Sequence, residues 1–451
     1  MFSRPEGQSR LKGPMITNPA RDKAKAVIQR HREAMITSTM VPYPMVGDEA
    51  EGALVKDLDG NVYLDFSSAV AVMNVGYSHP EVTKAIVEQT GKLVHFAGND
   101  YYNIKQVQLA EKLISITPGG YQKKVFFSNS GAESVECAFK LARWHTAKPG
   151  MISFVGAFHG RTFGALSLSG CKALHKKRFA PMVPQILHVP YAYCYRCPFK
   201  LEYPGCDTWC ASYVEEVALR SFPVEDIAAL IVEPIQGEAG YVPPPKEFLA
   251  KIQSVCRKNS VLLIVDEVQT GFARTGRMFA SEHFGLEPDI LTLSKALAAG
   301  LPMGATVARA KVAEWDEGSH SNTMGGHLLS SVAALTNIDV IEKENLCDKA
   351  EKLGKHAMNR LQEFEKESEL VGDVRGIGLM IGIEFVTNKK TKARAVSETE
   401  RIAIEAFNRG LILLPVGSNC IRIAPPLNME IDQLDKGIDI LFDAVKKVEA
   451  N

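Results

Sequence analysis

Short, almost wholly apolar runs separated by amphipathic stretches fill the middle of the chain. Between residues 76 and 335 these runs fall at 125–127, 151–155, 227–232, 261–265, 290–293 and 305–308. Each is too short for a buried helix, and its side chains are apolar at successive positions rather than alternate ones. A strand of that kind is buried on both faces, so the pattern predicts an α/β fold with a mainly parallel sheet covered by helices. Outside this region the pattern changes. Residues 20–35 favour a short polar helix, and 54–65 alternate about an Asp59-Gly60-Asn61 turn, which reads as a hairpin. After residue 335 a long helix (about 346–366) precedes strands at 371–374, 380–385, 411–415 and 421–424, and a final helix starts near 430. The expected organisation is an N-terminal arm and hairpin (1–75) packed with a small α+β domain (336–451), and a large domain at 76–335.

A chain of 451 residues is too long for one compact unit, which supports this division. Lys+Arg and Asp+Glu both number 52, and such a balance argues against a nucleic-acid or membrane-surface protein. No apolar run approaches the roughly 20 residues that span a bilayer. The first residues, Met-Phe-Ser-Arg-Pro-Glu-Gly, lack the apolar core of a secretory signal, and their Pro and Gly suit an arm better than the amphipathic helix of a transit peptide. Nine cysteines in a chain of this length do not make a disulfide framework, so a reducing cytoplasm is the expected setting.

The chemistry collects at the ends of the apolar runs. Lys295 follows 290–293, and Asp266 closes the run 261–265. A buried ammonium must find a partner or lose its proton, and a neutral amine attacks aldehydes. A Lys295–Asp266 salt bridge is the structural alternative. Ser128-Asn-Ser130-Gly131-Ala132 leads from another run into a helix over 133–146, where amide groups and a hydroxyl form an anion site or, more simply, an N-cap. The exit loop after 151–155 holds Phe158, His159 and Arg161, and Glu233 and Glu238 follow 227–232. Phe158 suits core packing or stacking on a flat ligand, and Arg161 suits the surface or a carboxylate clamp.

Taken together, the motifs 231–238 (Ile-Val-Glu-Pro-Ile-Gln-Gly-Glu), 266–276 (Asp-Glu-Val-Gln-Thr-Gly-Phe-Ala-Arg-Thr-Gly) and Ser-Lys-Ala at 294–296 resemble the fold-type I pyridoxal phosphate enzymes. The likeness is specifically to class III aminotransferases, such as the 4-aminobutyrate, ornithine and acetylornithine enzymes, and covers nearly the whole chain after about residue 40. The resemblance implies that Lys295 joins covalently to pyridoxal 5′-phosphate and then moves the substrate proton, while Asp266 pairs the ring nitrogen. It further implies that Gln269 reaches the ring hydroxyl, Phe158 lies over the ring, and His159 and Glu233 stand beside it. Ser130, Gly131 and Ala132 would hold the phosphate, and Thr323 would reach the phosphate of a second subunit, so at least a homodimer is expected.

For the substrate, Arg422 matches the family's α-carboxylate arginine, Glu238 its removable partner, and Arg161 the distal carboxylate clamp. Val70 falls where ornithine enzymes place a tyrosine and 4-aminobutyrate enzymes an aliphatic residue. The set implies ping-pong transfer of an amino group from a 4-aminobutyrate-like ω-amino acid to 2-oxoglutarate. Ornithine or acetylornithine transamination is an alternative, and so is racemisation or 2-epimerisation of an amino acid by the same lysine. Gly325-Gly326-His327-Leu328 departs from the family's Gly-Gly-Asn-Pro at the expected subunit contact. Outside the family pattern, Cys194, Cys197, Cys206 and Cys210 have spacing compatible with a four-thiolate metal knob or with a loop of incidental thiols. A metal-stabilised binding module on an inactive scaffold is disfavoured because the cofactor residues are all retained.

Overall fold

Every position of the strand Ile227–Val232 is buried, and its side chains go alternately to two different cores. Leu230 and Val232 join Phe248, Leu249 and Ile252 on one face, whereas Ala229 and Ile231 join Val135, Ala138 and Phe139 on the other. This is the physical origin of the unbroken apolar runs. The computed structural model describes residues 11–36, 38–98 and 100–450; the arm at 1–10 lies outside them. Its seven-stranded sheet runs in the order Lys123–Ser128, Gly304–Arg309, Ile290–Leu293, Leu262–Asp266, Ile227–Val232, Gly150–Phe154, Ile186–Val189. Gly304–Arg309 is antiparallel to both of its neighbours, and the remaining neighbours pair in parallel. The helices Gly131–Thr146 and Lys246–Lys258 pack against this sheet. The edge strand Ile186–Val189 has no counterpart in the apolar pattern, because three of its four positions are only half-buried.

A second sheet forms from Gly47–Glu51, Leu54–Asp57 and Val62–Asp65, with Leu411–Ile412 added in parallel to the last. A third contains Val371–Ile377, Met380–Asn388, Cys420–Ile423 and Leu414–Val416. The run 411–415, which reads as one strand, is therefore two pieces in two sheets, with buried Leu413 at the crossing. Pro415 has no N–H to donate and sits on an edge strand, where that lack is tolerated. The chain's change of pattern at 335 falls inside the helix Leu328–Lys343; the turn comes at Glu344 and Asn345, before the helix Leu346–Glu367. Among the described residues no helix is long and apolar enough to cross a membrane.

Two side-chain assemblies tie the sheets together. Phe407 stacks between Tyr43 and Tyr63 at 4.6 and 4.8 Å, and the Arg21 guanidinium lies 4.5 Å over its ring. Arg274 is 0% exposed, and among the described residues it has no carboxylate partner. It donates to the carbonyls of Leu379 (3.1 Å) and Pro425 (2.6 Å) and to Asn74 Oδ1 (2.5 Å), whose amide in turn donates to Phe272 O at 2.6 Å. One guanidinium thus joins the loop after Asp266 to segments near residues 74, 379 and 425. Burial lowers its pKa to about 10, still high enough to keep the charge at neutral pH.

Replacing it by an apolar chain of similar length leaves three buried acceptors without a donor. Arg274→Met should therefore lower the unfolding free energy by about 3 kcal/mol, read as a shift of the urea midpoint at fixed cofactor loading. An unchanged midpoint would contradict the assigned role.

Candidate active site

The strand ends at Asp266, Glu233, His159 and Lys295 bring their charged groups to one edge of the sheet. Asp266 Oδ2 lies 2.7 Å from His159 Nδ1, and Oδ1 accepts from the Val268 amide at 3.0 Å. The two side chains are 4% and 0% exposed, so this is a buried pair. The alternative of a Lys295–Asp266 bridge is not realised among the described residues; His159 occupies the carboxylate instead. His159 keeps one ring nitrogen, Nε2, without a partner among the described residues. Glu233 accepts from the Phe158 and Gly237 amides at 3.0 and 3.1 Å, and burial, helped by the negative charge of Asp266 against the opposing pull of His159, raises its pKa to about 7.

Lys295 opens the turn after Ile290–Leu293 with φ of 42°, a left-handed conformation that a non-glycine residue adopts at some cost. Its ammonium makes no hydrogen bond or ion pair with the described residues. Burial, opposed by Glu238, Asp266 and Glu233 and joined by Arg422, lowers its pKa to about 8. This is the electrostatic setting of a reactive amine.

Ser130 caps the helix Gly131–Thr146, its hydroxyl accepting from Glu133 N at 3.2 Å. The simple N-cap reading is therefore correct, and it leaves the anion reading intact. Among the described residues, the Gly131 and Ala132 amides have no backbone acceptor outside the helix, so they point free donors from its positive end. The floor is tightly packed: a Cβ on Gly131 would meet Val268 Cγ1 at 2.9 Å, and one on Gly160 would meet Ala132 Cβ at 2.6 Å. Gln269 is 7% exposed, and among the described residues its buried Oε1 has no partner. Free amides, an unpartnered amide oxygen, a carboxylate and a lysine of lowered pKa are together what pyridoxal phosphate requires, and the residues fit it.

Arg422, on the strand Cys420–Ile423, donates from Nη1 to Glu238 Oε1 at 2.8 Å, with side-chain exposures of 8% and 20%. Burial pushes the Glu238 carboxyl up, but Arg422, Lys295 and Lys172 outweigh it and hold the group below the usual carboxylate range. Arg161 is exposed, bonded to His175 Nε2 at 3.0 Å, and its guanidinium lies 5.7 Å from the centre of the half-buried Phe158 ring. Val70 lies in a run, Ser68 to Ala71, in which every residue has positive φ. Thr323 is exposed on this chain. His327 stacks on His95 at 5.5 Å, an interaction the sequence did not suggest. Cys194, Cys197, Cys206 and Cys210 line one small void with Tyr191, Phe199 and Trp209. Burial pushes the Cys210 thiol up to about 12, and among the described residues no group of three or more His, Cys, Asp or Glu is placed to hold a metal. Arg196, in the same loop, pairs with Glu384, which also pairs with Arg375 at 2.8 Å.

The family model for class-III aminotransferases matches residues 36–445. The chain is 38% identical to a leucine/methionine racemase of Thermococcus litoralis over 95% of this chain and 96% of that one. It is also 38% identical to a 4-aminobutyrate aminotransferase of Mycobacterium tuberculosis over 96% and 97% of the two chains. A solved aminotransferase of Bacillus anthracis superposes with a TM-score of 0.88 at 30% identity, covering 96% of this chain and all of that one.

The lowered pKa of Lys295 has a direct consequence. Only the neutral amine attacks an aldehyde, so cofactor-free protein should capture pyridoxal phosphate faster as pH rises and level off above about 8. The rate is read from the absorbance of the bound cofactor. A rate that keeps climbing toward pH 10 would mean an ordinary lysine.

Proposed function

The chain belongs to the class III aminotransferases, pyridoxal phosphate-dependent enzymes of fold-type I, and on that premise we propose that it moves the amino group of a 4-aminobutyrate-like ω-amino acid to 2-oxoglutarate. The observation that carries the substrate assignment is the buried Arg422–Glu238 pair at 2.8 Å. While the pair is closed, Arg422 is neutralised and does not recruit an α-carboxylate, and an ω-amine with no carboxylate near its amino group is accommodated. An incoming 2-oxoglutarate takes Arg422 with its α-carboxylate once Glu238 leaves. Arg161, at the exposed rim over Phe158, receives the distal carboxylate of either substrate. Half-buried Val70 offers an aliphatic wall and no hydrogen bond to a second amine.

Bound pyridoxal phosphate supplies a ring that accepts the electrons of the broken C–H bond. With the cofactor bound, Asp266, held by His159, would keep a proton on the ring nitrogen. The Gly131 and Ala132 amides and Ser130 would hold the phosphate, and Gln269 would meet the ring hydroxyl. Lys295 Nζ would take the proton from the substrate carbon and pass it to the cofactor carbon on the other side of the nitrogen. A second copy of the chain completes the site through Thr323. Supporting this homodimer, the segment 93–107 exposes Leu93, Val94, Phe96, Tyr101, Tyr102 and Ile104, with Tyr102 and Ile104 at 101% and 64%.

The likeness to a leucine/methionine racemase favours a second reading, in which the proton returns to the same carbon on its other face. Purified protein given 4-aminobutyrate and 2-oxoglutarate should form glutamate and the corresponding ω-oxo acid. Lys295→Ala should lower that rate by at least about 10³-fold while cofactor still binds non-covalently. Inversion of an L-amino acid with no oxo acid present, together with no glutamate from 4-aminobutyrate, would replace the aminotransferase reading by the racemase one.

A further inference from the structure

Glu238 borders a cavity that Arg422 does not reach. This cavity of about 300 Å³ is lined by Gln236, Glu238, Lys172, Arg196, Arg394 and Ser418, among others. Its cations differ in what they are already doing. Arg196 is committed to Glu384 and to the Lys392 carbonyl at 2.7 Å, and Arg394 is exposed at the rim. Lys172 is half-buried, and among the described residues its ammonium has neither a hydrogen bond nor an ion pair. Its charge nevertheless acts on Glu238, and also on His175, the partner of Arg161.

A carboxylate displaced from Arg422 has to go where there is both room and positive charge, because a buried unpaired carboxylate is strongly disfavoured. We propose that Lys172 is the second partner of Glu238: when a substrate α-carboxylate takes Arg422, Glu238 turns into this cavity and is received by the Lys172 ammonium. Lys172 is then a positioning residue that sets how readily the site passes from its ω-amine form to its α-carboxylate form, without touching substrate. The inference rests on the Glu238–Arg422 exchange put forward above and adds where the carboxylate goes. It also gives the loop after Ser169 a part in selectivity, since the same loop carries Lys172 and leads to His175.

The test uses cofactor-loaded protein carrying Lys295→Ala, in which the substrate proton is not moved, so binding reaches equilibrium without turnover. Dissociation constants for glutamate and for 4-aminobutyrate are measured by titrating the absorbance of the bound cofactor. Lys172→Met should weaken glutamate relative to 4-aminobutyrate by about tenfold, the size expected for coupling between neighbouring charges, and Lys172→Arg should restore most of the ratio. In a Glu238→Ala background, with no carboxylate to receive, Lys172→Met should leave the ratio where Glu238→Ala alone puts it. An equal effect on both ligands, no effect on either, or an effect that persists without Glu238 would overturn the proposal; the last would mean that Lys172 meets substrate directly. Failure of the 4-aminobutyrate reading is distinct: wild-type protein would then show no glutamate formation from 4-aminobutyrate, whatever the Lys172 variants do to binding.

Discussion

Arg274 is a cation buried completely with no anion bonded to it among the described residues, and the arrangement of the molecule about the site depends on how that charge is satisfied. Two backbone carbonyls and a side-chain amide oxygen, drawn from three distant segments, solvate it. Each of those acceptors would itself be costly to bury alone, so donor and acceptors hold one another in place. The loop that begins at Asp266 is thereby fixed against the strands that bring Arg422. Lys295 is the contrasting case: carboxylates stand near it, but among the described residues none bonds to it. The first cation keeps its proton because oxygen atoms bond to it directly. The second is pushed down to about 8 because desolvation outweighs the more distant carboxylates. Desolvation thus goes with a structural strut in one place and an amine of lowered pKa in the other.

The carboxylates around Lys295 divide in a similar way. Asp266 is held by His159 and by an amide, which suits a charge that must persist beside a pyridine nitrogen. Glu233 has only amide donors, and burial raises it to about 7; its oxygens fix the backbone of Phe158 and of Gly237, so it sets the positions of the loops leading to the stacking ring and to Glu238. Glu238 alone is paired with a group that a substrate can claim. Three carboxylates within one edge of a sheet thus take three different tasks, decided by which donors each neighbour offers.

Much of this was legible in the chain. The nearly unbroken apolar runs located six of the seven central strands, because burial on both faces leaves no charged positions and few hydroxyls in them. The half-exposed edge strand Ile186–Val189 leaves no such trace. The division of 411–415 between two sheets could not be read either, since all its positions are apolar or proline and only pairing tells the pieces apart. At the site, the strand ends announced Asp266, Lys295 and the helix cap by residue type and position. The His159–Asp266 contact, the solvation of Arg274 and the free ammonium of Lys172 join residues far apart in sequence, and no local pattern signals them. Arg274 was in plain view within 266–276, yet a motif does not say that its arginine is dry.

The segment Ser68 to Ala71 is marked by backbone strain as much as by pairing. Ser68, Ala69, Val70 and Ala71 all have φ between 48° and 69°, a conformation that costs L-residues roughly 1–2 kcal/mol each. Such a run persists only where its surroundings leave no alternative. Here the Ser68 hydroxyl donates to Ala424 O at 2.7 Å, and Ala424 N donates back to Phe66 O at 2.8 Å. On the other side, Asp65 accepts from Ser67 and from the Tyr77 hydroxyl, both at 2.7 Å or less. Ala424 is two residues from Arg422, so the strained run is anchored to the segment that carries the substrate arginine. The position of Val70 and the position of Arg422 are therefore one structural variable. In the function proposed above, the residues that hold the cofactor would suit every reaction of such a lysine, and selection among them would fall to this coupled segment and to the carboxylate that Arg422 can release.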